Sequence, residues 1–467
     1  MSSDSAGQGD LKIGWTPGRH TPKGDTDALH NDRARHPGHP IEGEAMARAL
    51  QATGVVAMLA LSACASAAVS STPSTGGTPA GANPSTPSST AASNGNSTAS
   101  TSASGTPGAS AAATALRTNV VDGAKDVPVD TLLTVTPAGA RVTRVSVEST
   151  ASGKDAARIG GDIGSDGVWT ADNRLDPGAR YTVTATGTSD DGSEQTIETT
   201  FRTAALTRSQ QVFPTLTPVL GGPFGVAQPI VIAFDTPITD KASVERALKV
   251  TSSPAQEGSW GWIDAKTVHY RPKAYWKPGT KITLDARLNG VNAGGGHYGQ
   301  LNRTLDLTIG RAQSGTVDIA KHSISWTREG KVVGTWPMTA GKPGFTTRSG
   351  TKVVMEKAEN ITMASETTGI ARDSSEGYNV KVALALRVTG SGEFIHSAPW
   401  NEGNFGVRNA SHGCVGMGDD TMWKLYQVVQ IGDPVTFTGS NRKLEDGNGW
   451  TDWNQTWDQW KARSALK

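Results

Sequence analysis

Alternating apolar and polar positions dominate the chain from residue 116 onward, a pattern typical of half-buried β-strands. In residues 116–205 the alternating runs are short, and clusters of Gly, Asp and Pro separate them. The clearest runs read VPVDTLLTVTP, RVTRVSVEST, ARYTVTATGTS and QTIETTFRTA. Short strands at this spacing predict an antiparallel sandwich. We interpret residues 116–205 as an immunoglobulin-like spacer domain without chemistry of its own.

Residues 206–311 repeat this style, with strand-like runs such as PIVIAFDTPI and TKITLDARLNGV. We therefore expect a second immunoglobulin-like domain over this range. Four aromatic residues, Trp260, Trp262, Tyr270 and Trp276, are interpreted as packing inside this domain or between domains. A carbohydrate-stacking surface is the functional alternative for them.

Residues 312–439 alternate again, but one segment has helical spacing. In DDTMWKLYQVVQIG, the apolar residues Met422, Leu425, Tyr426 and Val429 fall at positions i, i+3, i+4 and i+7. This spacing predicts an amphipathic helix directly after the second cysteine of the chain. The predicted fold is therefore mainly β, with two immunoglobulin-like β-sandwich domains followed by a β-rich domain that contains a short helix.

An apolar run over residues 52–63, ATGVVAMLALSA, differs from all of these patterns. A bilayer-spanning helix needs about 20 apolar residues, so the run is better suited to the hydrophobic region of a secretory signal. It ends in Leu-Ser-Ala followed by Cys64, which resembles the bacterial lipobox. We expect a lipoprotein signal peptide over residues 46–63 and a lipid on Cys64 that attaches the protein to a membrane. An ordinary signal peptide with a chance cysteine is the alternative.

The residues around this run are polar or of low complexity. Met46, Arg48 and the apolar run make a well-formed leader, which predicts that translation starts at Met46 and that residues 1–45 are a non-native, disordered extension. A signal anchor with a short cytoplasmic tail is the alternative. Residues 64–115 consist almost wholly of Ser, Thr, Ala, Gly, Pro and Asn, and this composition predicts a flexible tether.

Composition and charge disfavour some classes of partner and cofactor. The 44 basic and 43 acidic residues give a net charge of +1, which disfavours nucleic acid as a partner because that partner requires a concentrated basic surface. Acidic residues are scattered and no His pair has ligand spacing, so neither a metal nor another cofactor is expected. The two cysteines, Cys64 and Cys414, lie in different contexts, and separate chemistry fits them better than a disulfide.

The candidate chemistry lies in two short motifs, IHSAPW around His396 and SHGCVG around Cys414. A thiol becomes a strong nucleophile when a nearby imidazole takes its proton. Gly413 gives the backbone the freedom to turn the Cys414 N–H toward a developing oxyanion. From the residues alone, either His396 or His412 could be the base. A buried, inert cysteine beside structural histidines is the alternative to both.

These motifs resemble the L,D-transpeptidases, whose signature is a His, a spacer and then Ser-His-Gly-Cys. The strand segment GDPV and the Trp-rich end NGWTDWNQTWDQW resemble actinobacterial members as well. The resemblance extends over residues 116–467 and implies that residues 312–439 are the catalytic domain. It implies a tail over residues 440–467 that packs back onto the chain, with glycan stacking as the alternative for its tryptophans.

The resemblance implies cross-linking of peptidoglycan stem peptides. Cys414 would attack the donor tetrapeptide after its third residue, expel D-Ala, and transfer the acyl group to the side-chain amine of an acceptor diamino acid, giving a 3→3 cross-link. His396 would be the base, and the carbonyl of Ser397 would orient its ring. Carbapenem β-lactams would be inhibitors. The enzyme would be extracytoplasmic, attached to the cell membrane by its lipid and facing the cell wall.

The resemblance also implies which residues contact the substrate. These are Met363, Tyr378, Ser391, Gly392, Trp400, Ser411, His412, Gly413 and Gly416. Tyr378 would face the substrate or oxyanion from a lid, and His412 would line the site without acting as base. Gly416 departs from the family pattern, because many members carry Asn or Arg there. It would offer backbone contacts at most, and carbapenems would acylate Cys414 more slowly.

Two other functions remain open from the sequence. A cysteine endopeptidase or carboxypeptidase of the cell wall would form the same thioester but resolve it with water. A non-catalytic peptidoglycan-binding protein would need neither Cys414 nor His396. The order of His396 followed by Ser-His-Gly-Cys favours the transpeptidase over both.

Overall fold

A computed structural model describes residues 115–150, 157–219 and 222–467. The predictions for the N-terminal extension, the leader, the lipid on Cys64 and the tether up to residue 114 lie outside the described residues. Within these ranges, no helix combines the length and the hydropathy that crossing a membrane requires.

The first domain is a sandwich of two sheets. Its strands are β1 (Leu116–Thr118), β2 (Ala124–Val127), β3 (Thr134–Pro137), β4 (Ala140–Thr150), β5 (Ala157–Ile159), β6 (Gly161–Ile163), β7 (Trp169–Ala171), β8 (Arg180–Ser189) and β9 (Glu194–Thr203). One sheet has the order β1-β3-β7-β6 and the other β2-β9-β8-β4-β5. In β8, Tyr181, Val183 and Ala185 are fully buried while the residues between them are more accessible, so the alternation in the sequence does mark the core face.

The second domain is also built from facing sheets. Its elements are β10 (Gln211–Val212), β11 (Pro214–Thr217), β12 (Ile230–Phe234), helix α1 (Lys241–Arg246), β13 (Leu248–Ser253), β14 (Gly258–Trp262), β15 (Thr267–Pro272), β16 (Lys281–Ala286), β17 (Asn292–Gly294), β18 (His297–Gly299) and β19 (Arg303–Thr308). The sheets are β11-β12-β15-β14 and β13-β16-β19, with a small sheet β10-β18-β17 beside them. Trp260, Trp262, Tyr270 and Trp276 are all buried in the core of this domain.

The third domain contains the two sequence motifs. Its elements are β20 (Gln313–Asp318), β21 (Ser323–Arg328), β22 (Lys331–Pro337), β23 (Gly350–Val353), β24 (Glu356–Ala364), β25 (Asn379–Arg387), β26 (Phe394–Ser397), β27 (Val415–Met417), helix α2 (Asp419–Val428) and β28 (Pro434–Thr438). Two sheets, β22-β21-β20-β28-β23 and β24-β25-β26-β27, enclose one apolar core. Strands β26 and β27 are parallel neighbours, so the two motifs meet although they are separated in sequence.

Helix α2 has the predicted position and face. Met422 and Leu425 are fully buried and Tyr426 nearly so, and Val429 directly after the helix is buried as well. Trp423, which the same spacing turns outward, is 57% exposed. The helix therefore closes the core behind β27 and fixes the end of the segment that carries the cysteine.

The C-terminal tail lies against the second and third domains. It contains a 3₁₀ turn (Asp452–Asn454) and helix α3 (Trp457–Lys461). Trp460 is fully buried, and its Nε1 donates a hydrogen bond to the carbonyl of Ser259 at 2.9 Å. A small apolar cluster of Ala227, Val231, Val353 and Trp450 joins both domains to the tail. The architecture as a whole confirms the predicted fold class, mainly β with immunoglobulin-like structure before a β-rich domain.

Candidate active site

The two motifs line one pocket of about 330 Å³ on the third domain. The lining residues are Met363, Tyr378, Val380, His396, Trp400, Asn401, Ala410, Ser411, His412 and Cys414. Seven of these belong to the set singled out from the sequence, and Val380, Asn401 and Ala410 are additions. A hollow of about 400 Å³ on the first domain is lined by Lys125, Arg180 and Arg202 among others, but it contains no nucleophile.

His396 is held on β26 in one orientation. Its Nδ1 lies 2.7 Å from the carbonyl oxygen of Ser397. A carbonyl can only accept, so Nδ1 carries the proton and Nε2 keeps its lone pair. Burial lowers the pKa of His396, and the hydrogen bond to Ser397 acts in the opposite direction. The ring is thus neutral at pH 7, with Nε2 able to take up a proton.

Cys414 is a free thiol at the start of β27. Its Sγ lies 3.7 Å from the carbonyl oxygen of Gly392, which can accept the S–H. Burial raises the pKa of Cys414 to about 11, while a backbone hydrogen bond from Phe394 lowers it. The resting thiol is therefore protonated and needs a base in order to react.

The turn before the cysteine is fixed by hydroxyl groups. Ser411 Oγ donates to the Cys414 carbonyl at 2.6 Å and accepts from the Gly413 N–H at 3.1 Å. Thr347 Oγ1 donates to the Gly413 carbonyl at 2.8 Å. Gly413 has φ +127°, in a region that favours glycine. The Ser-His-Gly-Cys sequence thus produces a rigid turn rather than a mobile loop.

His412 faces the segment between β24 and β25, which we call the lid segment (residues 365–378). Its Nε2 lies 2.6 Å from Oε2 of Glu376, and the same oxygen accepts from Lys342 Nζ at 2.5 Å. Its ring contacts Phe345 and Tyr378, with centroids 4.7 and 5.1 Å away. The hydrogen bond from Lys342 comes first among the causes that lower the pKa of Glu376, followed by that from His412. This contact ties the lid segment to the turn that carries Cys414.

A charged cluster lies behind the thiol, and sequence reasoning missed it. Glu393, directly before β26, accepts from Lys352 Nζ at 2.5 Å and from Arg348 Nη1 at 2.9 Å. The Lys352 side chain is fully buried. Lys352 precedes the apolar residues Val353 and Val354, but nothing in the sequence pairs it with an acid that follows so much later.

Five residues of the sequence-derived set are not among those that line the pocket, namely Ser391, Gly392, Ser397, Gly413 and Gly416. The N–H of Ser391 donates to Asn448 Oδ1 in the tail at 2.8 Å, so this group is already engaged. Gly416 is buried, its N–H donates to the Thr339 carbonyl at 2.8 Å, and its own carbonyl accepts from the Thr339 N–H at 3.0 Å. Both backbone groups of Gly416 are thus hydrogen-bonded to Thr339, and the residue lies beside the pocket rather than in its wall.

Taken together, the groups in the pocket suit acyl transfer. A thiol and a neutral imidazole whose Nε2 keeps its lone pair are the parts that nucleophilic attack on a carbonyl requires. Among the described residues, no group of three or more His, Cys, Asp and Glu side chains could hold a metal ion.

Comparison with known proteins identifies the family. Residues 313–437 match the L,D-transpeptidase catalytic domain, and residues 124–292 match the bacterial Ig domain. The chain is 33% identical over 352 residues to L,D-transpeptidase 2 of Mycobacterium tuberculosis, and the match covers 75% of this chain and 85% of that protein. The chain belongs to the L,D-transpeptidase family. The resemblance noted in the sequence is thereby confirmed.

Other relatives cover less of this L,D-transpeptidase. L,D-transpeptidase 5 of Mycobacterium tuberculosis is 36% identical over 255 residues, which are 53% of this chain and 55% of that protein. A crystal structure of L,D-transpeptidase 3 from the same species is 30% identical, covers 48% of this chain and 98% of its own, and superposes with a TM-score of 0.41. The chain thus carries the catalytic domain of enzymes that cross-link peptidoglycan, as the sequence predicted.

Proposed function

We propose that this L,D-transpeptidase forms 3→3 cross-links through a thioester on Cys414, with His396 as the general base. One observation carries the proposal. Cys414 and His396 line the same pocket, and the hydrogen bond from His396 Nδ1 to Ser397 leaves Nε2 free to take up the thiol proton. His412, the alternative base, already uses its Nε2 to contact Glu376.

The proposed reaction has two halves. His396 takes the proton of Cys414, and the sulfur attacks the carbonyl of the third residue of the donor stem. The C–N bond to the terminal D-Ala then breaks, and its amine leaves with the proton from His396. In the second half, the side-chain amine of an acceptor stem attacks the thioester carbonyl and His396 takes a proton from that amine. The C–S bond then breaks, and the sulfur of Cys414 takes up the proton from His396, which restores the thiol.

The pocket walls suggest how the donor is held. Met363 and Trp400 supply apolar surface, and the half-exposed Trp400 ring lies 6.1 Å from the His396 ring between centroids. We assign the developing oxyanion to the Cys414 backbone N–H, with the Tyr378 hydroxyl opposite. Burial raises the pKa of Tyr378, so its hydroxyl keeps its proton and remains a donor at pH 7.

Purified muropeptides test the assignment directly. We expect Cys414→Ala and Cys414→Ser to abolish cross-linked product and D-Ala release, both measured by mass spectrometry. His396→Ala should lose several orders of magnitude in rate, because the activating base is gone. His412→Ala is the matched control and should lose less. Cross-linking by either Cys414 variant would overturn the nucleophile, and a larger loss in His412→Ala than in His396→Ala would overturn the base.

We propose further that carbapenem β-lactams acylate Cys414. Their strained amide opens when a thiolate attacks its carbonyl, and the resulting thioester occupies the position that the donor acyl group would take. Incubation with a carbapenem should add the mass of one inhibitor to the wild-type protein and none to Cys414→Ala. Fragmentation that places the adduct on another residue would contradict the assignment.

Membrane attachment is a separate proposal. We propose that Cys64 carries a diacylglycerol thioether and holds the enzyme at the outer face of the cell membrane, on the basis of the apolar run and the lipobox-like sequence before it. Labelled fatty acid should be incorporated into the wild type, and Cys64→Ser should move the enzyme into the soluble extracytoplasmic fraction. Absence of label in the wild type would reject the lipid.

A further inference from the structure

Three charged residues lie buried behind the candidate nucleophile. The side chain of Lys352 is fully buried, that of Glu393 is 6% exposed and that of Arg348 is 14% exposed. Both oxygens of the Glu393 carboxylate are used, because Lys352 binds one while the guanidinium and the backbone N–H of Arg348 bind the other. Buried charges of this kind are costly to desolvate, and a pair of apolar residues would pack as well. A contribution to folding stability alone therefore does not explain why charged residues occupy these positions.

Their position relative to the thiol is specific. Glu393 directly follows Gly392, whose carbonyl faces Cys414 Sγ at 3.7 Å. Its Oε1 also lies 3.8 Å from the point that a β-carbon on Gly413 would occupy. The carboxylate is thus adjacent to both chain segments that meet at the thiol. Lys352 and Arg348 each bind one of its oxygens.

The backbone of Glu393 also fixes the turn that carries Gly392. The backbone N–H of Glu393 donates to Thr389 Oγ1 at 2.8 Å, and its carbonyl accepts from the Val388 N–H at 3.0 Å. Lys352 is itself held from the other side, where its Nζ lies 3.6 Å from the centroid of the Phe437 ring. These contacts hold Glu393 and Lys352 in place behind the thiol.

We propose that Lys352, Glu393 and Arg348 are positioning residues that set how readily the Cys414 thiol ionises. This inference rests on the proposed role of Cys414 as nucleophile. Lys352 favours the thiolate, and Glu393, which Arg348 also binds, keeps Lys352 beside the thiol while offsetting part of its charge. The cluster thus adjusts the nucleophile without contacting the substrate.

The directions of the pKa shifts of Cys414 and Lys352 agree with this geometry. Burial raises the pKa of Cys414 most, the charge of Glu393 raises it further, and Lys352 lowers it. Burial also lowers the pKa of Lys352, while its contact with Glu393 raises it. Other titratable groups also face this region. Tyr378, His396 and His412 lie in the pocket, Glu376 binds His412, and Glu445 pairs with Arg348 Nε at 2.5 Å. All of them are kept in every variant below.

The test is the pH dependence of Cys414 alkylation by iodoacetamide in the full chain. Mass spectrometry of the Cys414 peptide separates this signal from Cys64. Lys352→Met should raise the midpoint of the profile by about one pH unit or more, because a cation near the thiolate is lost. Glu393→Gln keeps the shape of the side chain and should lower the midpoint by a similar amount. Combining both changes should bring the midpoint back toward that of the wild type.

Shifts of the midpoint in opposite directions for Lys352→Met and Glu393→Gln distinguish an effect of charge from an effect of packing. Damage to packing would move the midpoints of both variants in one direction or not at all. Arg348→Gln is used if Lys352→Met does not fold, because the Arg348 side chain is 14% exposed and its loss should disturb packing less. This variant too should raise the midpoint. Lys461→Gln removes a cation from the exposed pair with Asp458 in helix α3 and is the matched control. Unchanged midpoints in the cluster variants, or shifts of one sign, would overturn the proposal. The alkylation experiment needs no peptidoglycan and does not depend on the transpeptidase assay. If the assignment of Cys414 as nucleophile is wrong, the separate muropeptide assay will show cross-linking by Cys414→Ala.

Discussion

His396 lies directly opposite Gly416 on the parallel strands β26 and β27. This register places Cys414, two residues before Gly416, at the start of β27, where its thiol meets the carbonyl of Gly392 just before β26. On its other side Gly416 exchanges both backbone hydrogen bonds with Thr339. One backbone position thus aligns the base, the nucleophile and a third segment of the domain.

A side chain at position 416 should therefore disturb this alignment. A β-carbon on Gly416 would lie 2.9 Å from Ala398 Cβ and 3.2 Å from Thr339 Cγ2. We expect Gly416→Ala to lower the free energy of unfolding by about 1–3 kcal/mol, the usual cost of overpacking, and to slow acylation of Cys414. Thermal unfolding and intact-protein mass after inhibitor addition measure the two effects.

The neighbouring alanine provides the control for that change. Ala398→Gly removes the nearest contact, so the double variant Gly416→Ala with Ala398→Gly should recover part of the lost stability. Strictly additive losses would show that the contact with Ala398 is not the cause. The same contacts mean that Ala398 or Thr339 would also have to move to admit an Asn at position 416.

The contact between Glu376 and His412 gives a second prediction. Glu376→Ala releases the lid segment from the cysteine turn and from Lys342, so we expect a several-fold rise in KM for the donor with a smaller change in kcat. Glu366→Ala is the matched control, because Glu366 lies in the same segment but pairs with Arg372 at 2.7 Å instead. Steady-state release of D-Ala measures both variants. Equal effects from the two substitutions would show that loss of charge, and not the contact with His412, is responsible.

The fold and the reacting residues were predictable from the sequence for different reasons. Strand alternation identified the β class, because the period of two survives whatever the strands pair with, as Tyr181, Val183 and Ala185 illustrate. The placement of Cys414, His396, Tyr378 and Trp400 around one pocket came from the family signature and not from spacing. Spacing alone left His396 and His412 equivalent as bases.

The contacts that the sequence did not predict are contacts between segments that are distant in the chain. Lys352 and Glu393 form a buried pair, and Glu376 reaches His412, but their sequences carry no periodic signal of these contacts. The burial of Gly416 has a similar origin. The resemblance counted this residue among those that contact the substrate, whereas its register with His396 and its bonds to Thr339 place it in the interior.

The tail gives a third prediction, on stability. Trp460 is fully buried, binds the Ser259 carbonyl and lies with its ring 5.1 Å from the guanidinium carbon of Arg271. Trp460→Ala should lower the free energy of unfolding by about 3–5 kcal/mol, the usual cost of removing a buried tryptophan. Trp423→Ala removes an exposed tryptophan from helix α2 and should cost far less. Urea unfolding compares the two, and similar midpoints would contradict the packing of the tail.

The last prediction concerns pH and Asp433. This carboxyl is fully buried in the loop after helix α2, where its Oδ2 accepts from the Gln430 N–H at 2.8 Å. Burial raises its pKa from 3.8 to about 7, against the hydrogen bond from Gln430 and the charge of Lys357. The folded state therefore holds this proton more tightly than the unfolded state does. Stability from this group is fully present below pH 3.8 and is lost as the pH rises to about 7.

Asp433→Asn keeps the shape of the side chain and an acceptor for Gln430 but removes the titration. We expect the variant to gain at most about 4 kcal/mol over the wild type at pH 8, and progressively less toward pH 4, since each unit of pKa shift corresponds to about 1.4 kcal/mol. Asp373→Asn, at an exposed position of the lid segment, is the control and should show no such trend. Urea unfolding of all three proteins at pH 5 and pH 8 measures the difference. An equal gain from Asp433→Asn at both values would mean that this carboxyl does not take up a proton on folding, because only a group that titrates between them can make the gain depend on pH.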